Sequence, residues 1–178
     1  MKKGLIQVYT GDGKGKTTAA LGLACRAASY GRKVLIFQYL KPADIKTGER
    51  LCRSKCPFPI EIQALNVSWN LKDKSKNAAN IEKIKDKIRE SLEKIAALAK
   101  NKQYDLIILD EINVCLSLAL ADIEDVKALV KNRAGVELVF TGRNAPKELI
   151  KIADLVTEMK NIKHPFDKGV KARKGIEF

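Results

Sequence analysis

Histidine, tryptophan and cysteine are scarce in this 178-residue chain, with one, one and four copies, and aromatic residues make up 6% of it. Cys25, Cys52, Cys56 and Cys115 are scattered without the spacing of a disulfide scaffold, which excludes a small cross-linked secreted protein. Cys52 and Cys56 stand close together, but no second ligand pair lies near them, so they read as buried or loop thiols rather than as half of a zinc site. No run approaches the ~20 consecutive apolar residues that would span a membrane. Met1, Lys2 and Lys3 lead into a strand-like run instead of an apolar segment with a small-residue cleavage site. The expected compartment is the cytoplasm. With neither internal repeats nor a low-complexity linker, one domain over residues 1–178 is expected.

Charge is the excess. The formal net charge is +13, which favours an anionic partner: nucleic acid, an anionic membrane surface or a polyphosphate ligand. Lysine is spread along the chain, and the clustered arginines interleaved with aromatics that favour nucleic acid are missing, so neither nucleic acid nor membrane is the expected partner.

Apolar runs alternate with helical periodicity, the pattern of an α/β fold with a mainly parallel sheet flanked by helices. Strands are expected over Leu5–Thr10, Val34–Leu40, Ile60–Leu65, Leu106–Leu109, Val136–Thr141 and Leu155–Met159. Helices are expected over Lys16–Tyr30, stopped by Gly31, and over Ile123–Lys131 and Pro146–Ile152. A long helix is expected from about Asp73 to Asn101, because Ile81, Ile84, Ile88, Leu92, Ile95 and Ala99 share one face. Its basic side fits a membrane or a partner, but the apolar stripe is what a sheet-covering helix needs. Lys41–Pro59 shows no period and reads as a loop, and 160–178 reads as a basic, irregular tail.

The strongest motif is Thr10-Gly11-Asp12-Gly13-Lys14-Gly15-Lys16-Thr17-Thr18, which follows a strand and opens a helix as a P-loop must. Its glycines let the backbone curl with amides pointing inward, and the helix N-terminus adds to that anion cradle. Lys16 is expected on the phosphates and the Thr17 hydroxyl on magnesium, so ATP with magnesium is the expected ligand. Thr10 stands where the usual pattern has glycine. A second signal is the apolar strand ending in Asp110 and Glu111, whose carboxylates would reach magnesium directly or through water. Arg143, in Thr141-Gly142-Arg143-Asn144, follows the next strand and suits a phosphate or ribose, or is part of a plain turn. Trp69, in a polar stretch, is either a ligand platform or a lid on the core. His164, before a proline, reads by itself as structural or solvated.

Taken in order, the P-loop, Gly48-Glu49-Arg50, Leu109-Asp110-Glu111, Thr141-Gly142-Arg143 and the tail Lys163–Ala172 resemble the P-loop class of corrinoid (ATP:cob(I)alamin) adenosyltransferases over nearly the whole chain. The resemblance implies a RecA-like P-loop fold and transfer of the 5′-deoxyadenosyl group of ATP to the cobalt of a reduced corrinoid, with release of triphosphate. The nucleophile is then Co(I), and no side chain need act as general base. It implies a homodimer, a reductase supplying electrons, and ATP lying reversed in the loop. It places Gly11, Asp12, Gly13, Lys14, Gly15, Lys16, Thr17, Thr18, Arg50 and Arg143 on the nucleotide. Lys16, Thr17 and Glu111 become the catalytic set, Thr17, Asp110 and Glu111 the magnesium set, and Val67, Trp69 and His164 the corrinoid set. Where the family has Gly-Phe-Thr-Trp-Glu, this chain has Asn66-Val67-Ser68-Trp69-Asn70, so Val67 replaces the phenylalanine that packs with the tryptophan under the corrin ring. Many members also carry an N-terminal arm that caps the neighbouring site, whereas Met1–Gly4 precede the first strand here. The competing readings are a RecA-like ATPase acting as a switch or on nucleic acid and, less favoured, a small-molecule phosphotransferase.

Overall fold

The computed structural model describes residues 4–41, 47–53, 60–65, 67 and 78–177. Six strands form one sheet: β1 (Ile6–Thr10), β2 (Val34–Gln38), β3 (Ile60–Ala64), β4 (Leu106–Asp110), β5 (Glu137–Thr141) and β6 (Leu155–Glu158). Their order is β3-β2-β4-β5-β1-β6, and every pairing is parallel. The P-loop strand β1 and the acid-ending strand β4 are therefore separated by β5, within the parallel sheet flanked by helices that the sequence pattern leads one to expect.

A parallel sheet needs both faces covered, and strand alternation sorts side chains between them. Val34, Ile36, Leu106, Ile108 and Val139 face helix α1 (Lys16–Ser29), which approaches through Ala20, Ala24 and Ala28. This spacing of four puts three small residues on one face of the helix. Leu35, Phe37, Ile107, Leu109, Leu138 and Phe140 point the other way into the larger core cluster. Helix α3 (Ala78–Lys100) covers that face with Ile84, Ile88, Leu92, Ile95 and Ala99, all buried, and packs against α5 (Ile123–Asn132). The sequence stripe and the buried stripe coincide from Ile84 onward, so a sheet-covering helix is the observed role.

Two elements depart from expectation. Gly48–Arg53 is a helix, α2, inside the stretch read as a loop. Six residues are too few to show a helical period, and side-chain bonds to β2 hold this turn in place. Helix α4 (Ile112–Ser117) was not signalled either, and it starts directly after Glu111, whose φ of 68° turns the chain out of β4. Leucine at position 40 also has positive φ, 56°, which ends β2 two residues earlier than the apolar run suggests. Helix α6 (Lys147–Ile152) and a short 3-10 turn over Pro165–Lys168 complete the described elements.

Candidate functional site

The carboxyl ends of β1, β2, β4 and β5 meet at one edge of the sheet, where α/β proteins place their ligands. There β1 runs into the loop and α1. Gly11 has φ 91° and its α-carbon faces the chain after β6, so a Cβ would lie 2.5 Å from the Met159 carbonyl oxygen. Gly13 is equally confined, and its amide donates to Met159 O at 2.7 Å. Thr10 is the last residue of β1 and needs no glycine. Its Oγ1 accepts from the Ala145 amide at 3.2 Å, tying the loop to the start of α6. Helix α1 has Gly15 as N-cap, no side-chain cap and no acid in its first turn, so its N-terminal amides are available to an anion.

Lys16 folds back into this loop. Its ammonium donates to Gly11 O at 2.6 Å and Gly13 O at 2.8 Å, and the residue is 8% exposed. Burial lowers its pKa, Arg143 adds to that, and Glu111 and Asp12 oppose it. The Lys16 charge is thus held among carbonyls and amides with little water, which favours an incoming anion.

Asp110 is fully buried and accepts three bonds. Thr17 Oγ1 and Thr141 Oγ1 donate to Oδ1 at 2.8 and 2.7 Å, and Lys41 Nζ donates to Oδ2 at 2.7 Å. Glu111 differs: its amide donates to Thr141 Oγ1 at 3.1 Å, while its carboxylate has no hydrogen bond among the described residues. Burial and the Asp110 charge raise the Glu111 pKa, with Lys41, Lys16 and Arg143 pulling the other way. Burial would lower the pKa of Lys41, but Asp110, Glu49 and Glu111 outweigh it and the net shift is upward.

Two adjoining cavities share Thr17, Thr18, Glu111, Ile176 and Glu177. One, of about 340 Å³, is lined by Asp12–Thr18, Glu111, Arg143 and His164. The other, of about 450 Å³, extends past Leu21 to Lys41 and Thr47–Glu49. The tail closes over both. Lys14 Nζ donates to Glu177 at 3.0 Å and to Ile176 O at 3.3 Å. Bonds from Arg173, with Lys14 added, pull the Glu177 carboxyl down to about 2.

The structure thus brings together Gly11, Asp12, Gly13, Lys14, Gly15, Lys16, Thr17, Thr18, Asp110, Glu111, Arg143 and His164. His164 also caps the 3-10 turn, its Nδ1 accepting from the Phe166 amide at 3.2 Å, so it has a structural role at the cavity wall. Arg50 is placed differently: it lines neither cavity and donates through Nε to Gln38 at 2.7 Å and through Nη2 to Lys41 O at 3.1 Å. Val67 is buried with Leu65 in the larger core cluster rather than exposed on a platform. Trp69, with Asn66, Ser68 and Asn70, lies outside the described residues, as does Cys56.

Lys41, Gln38, Asn113 and Glu177 stand at or beside the candidate site and motif reading passed over them. Asn113 is buried and donates to Tyr9 O and Gly142 O at 3.3 and 3.2 Å, pinning the ends of β1 and β5. The available signal was position: Gln38 and Lys41 are polar residues at the carboxyl end of an apolar strand, where ligand crevices form.

Among the described residues no three His, Cys, Asp or Glu side chains form a group able to hold a metal. Thr17 and Glu111, the latter with no carboxylate hydrogen bond among the described residues, are oxygen donors on this cavity, a set of the kind magnesium takes together with ligand oxygens and water.

Known proteins match this chain along its length. The family described as ATP:corrinoid adenosyltransferase BtuR/CobO/CobP matches residues 2–178. A protein named corrinoid adenosyltransferase from a Sinorhizobium species is 38% identical over 99% of this chain and 81% of its own length. Another of that name from Escherichia coli K12 is 30% identical over 99% of this chain and 87% of its own. A KaiC-like protein from Pyrococcus horikoshii OT3 superposes with a TM-score of 0.49 at 20% identity, over 90% of this chain and 74% of that one.

Proposed function

The chain belongs to the ATP:corrinoid adenosyltransferase family, and from that premise we propose that the loop Thr10–Thr18 and Glu111 form the site that orients ATP with magnesium for the transfer. The enzyme transfers the adenosyl group of ATP to a corrinoid. In that step the bond between C5′ and the triphosphate oxygen breaks, a cobalt–carbon bond forms with the electron pair of the reduced cobalt, and triphosphate leaves. No proton is removed, so the protein's task is to hold the leaving group and align the carbon.

The observation that carries this reading is the convergence of the loop amides, the Lys16 ammonium and the Glu111 carboxylate, which has no hydrogen bond among the described residues, on one cavity. A bound triphosphate takes over the Lys16 contacts now made by Gly11 O and Gly13 O. Lys14 and Arg143, on the same wall, add charge toward the leaving group. Magnesium fits the donor set. Thr17 spends its proton on Asp110 and keeps oxygen lone pairs, and Glu111 supplies a carboxylate, so these two would hold the ion while Asp110 fixes Thr17. The ion would neutralise phosphate charge.

On the family resemblance, the corrinoid approaches C5′ of the nucleotide with Trp69 and His164 as its proposed contacts; His164 lines the smaller cavity and Val67 is buried in the larger core cluster. A homodimer, a reductase partner and a cytoplasmic setting complete the proposal and rest on family membership. The test is product identity. Phosphorus NMR of a reaction with ATP and chemically reduced cobalamin gives intact triphosphate. Orthophosphate with ADP as the products would instead mark an ordinary ATPase.

A further inference from the structure

We propose that Lys41 is a positioning residue of the adenosyl-transfer site: by binding Asp110 on its outer oxygen it fixes the orientation in which Thr17 offers its hydroxyl oxygen to a cation on the triphosphate. The inference rests on the reading of the loop as a magnesium–ATP site.

The geometry divides the Asp110 carboxylate into two halves. Oδ1 takes both threonine hydroxyls, and Oδ2 takes Lys41 Nζ at 2.7 Å. Asp110 is 0% exposed, so water does not substitute for a lost partner. Without Lys41, the buried carboxylate oxygen loses its charged donor, and the carboxylate rotates toward another donor. Rotation breaks the Thr17 bond, and the Thr17 hydroxyl is then free to turn.

Lys41 is itself clamped. Its backbone oxygen accepts from Arg50 Nη2 at 3.1 Å, and its ammonium lies 3.6 Å from Glu49 Oε1. Glu49 Oε1 accepts from Gln38 Nε2 at 2.9 Å, and Gln38 Oε1 accepts from Arg50 Nε at 2.7 Å. Gln38 is fully buried at the end of β2. The network therefore runs from β2 through α2 to the tip of β4, and it gives Gly48–Arg53 a reason to be ordered beside the nucleotide cavity. It also accounts for Arg50 bonding to Gln38 and the Lys41 carbonyl. Two carboxylates balance the Lys41 charge, so its role toward phosphate is indirect.

Calorimetry on the full chain, with magnesium–ATP and with ATP in chelator, tests this for wild type, Lys41→Met, Thr17→Ala, the double variant and Lys41→Arg. Lys41→Met is expected to weaken magnesium–ATP by roughly 10–100-fold, the usual effect of losing a residue that orients a ligand. ATP binding without metal stays as in wild type. The double variant is no weaker than Thr17→Ala, because both changes remove one coupled unit. Lys41→Arg, which keeps the ion pair, recovers most of the loss. If a thermal melt shows Lys41→Met unfolded, Lys41→Gln takes its place with the same expectations. Equal losses with and without metal, additive losses in the double variant, or wild-type affinity in the Lys41 variant each overturn the proposal. No corrinoid is present in this assay, so such a failure leaves the transfer reaction standing. Failure of the wild type to bind ATP would instead undo the reading on which the proposal rests.

Discussion

Lys16 and Glu111 show how much chemistry a contiguous motif makes legible. Both were readable because each sits next to a strand end in a pattern that the chemistry requires. Replacing Lys16 with alanine removes the ammonium that is folded back into the loop, on Gly11 O and Gly13 O. Charge-assisted hydrogen bonds contribute roughly 1.5–3 kcal/mol each, so ATP affinity should fall by more than about tenfold in calorimetry while the circular dichroism spectrum is unchanged. Retained affinity would move the triphosphate elsewhere. Glu111→Gln should act in opposite directions on activity and stability. Its carboxyl pKa is raised by burial and by Asp110. The folded state then holds this proton up to a higher pH than the unfolded state does, so stability falls as pH rises through the interval between the two values. At neutral pH the ionised Glu111 is a net cost. The glutamine variant should melt at or above the wild-type temperature without ligand, with the gain shrinking as pH is lowered through that interval. Its transfer rate should drop by roughly two orders of magnitude or more, from the loss of a magnesium ligand. Lys41, Gln38, Asn113 and Glu177 were not legible in this way. Gln38, Lys41 and Glu177 reach the site through tertiary structure from segments distant from the loop, Asn113 follows Glu111 by two residues, and none belongs to a local pattern with a chemical requirement.

At the scale of elements, legibility followed length. The long stripe of α3 and the apolar strands carry enough repeats to reveal their period. Helices α2 and α4 have six residues each and are set by what they attach to: Gln38 for α2, the left-handed Glu111 for α4. The placement of Val67 depends on packing in a related way. The sequence marks it as a departure from a family motif, but its side chain is drawn into the core beside Leu65. Because α3 is a covering element remote from the phosphates, Leu92→Ala should separate folding from binding. Leu92 is 1% exposed. Its truncation is expected to cost about 2–5 kcal/mol in denaturant unfolding and leave ATP affinity of the folded protein unchanged. A loss of affinity at constant stability would show that α3 contributes to the site directly.

At the scale of the whole molecule, the sheet gathers the carboxyl ends of its strands at one edge, and the tail is laid across that edge by Lys14 and Glu177. The parallel α/β architecture could be read from alternation of apolar runs and helices. The strand order could not, because β5 is inserted between β1 and β4 by chain crossovers that leave no local trace. The charge of +13 is met, on this account, by an anionic nucleotide, and adding DNA or RNA should not accelerate ATP consumption. The most direct measurement follows the visible spectrum of cob(I)alamin, generated anaerobically, on addition of the protein with magnesium–ATP. The account predicts conversion to the spectrum of a light-sensitive alkylcobalamin, at a rate abolished by Lys16→Ala. A cob(I)alamin spectrum unchanged while ATP is hydrolysed to ADP would contradict it.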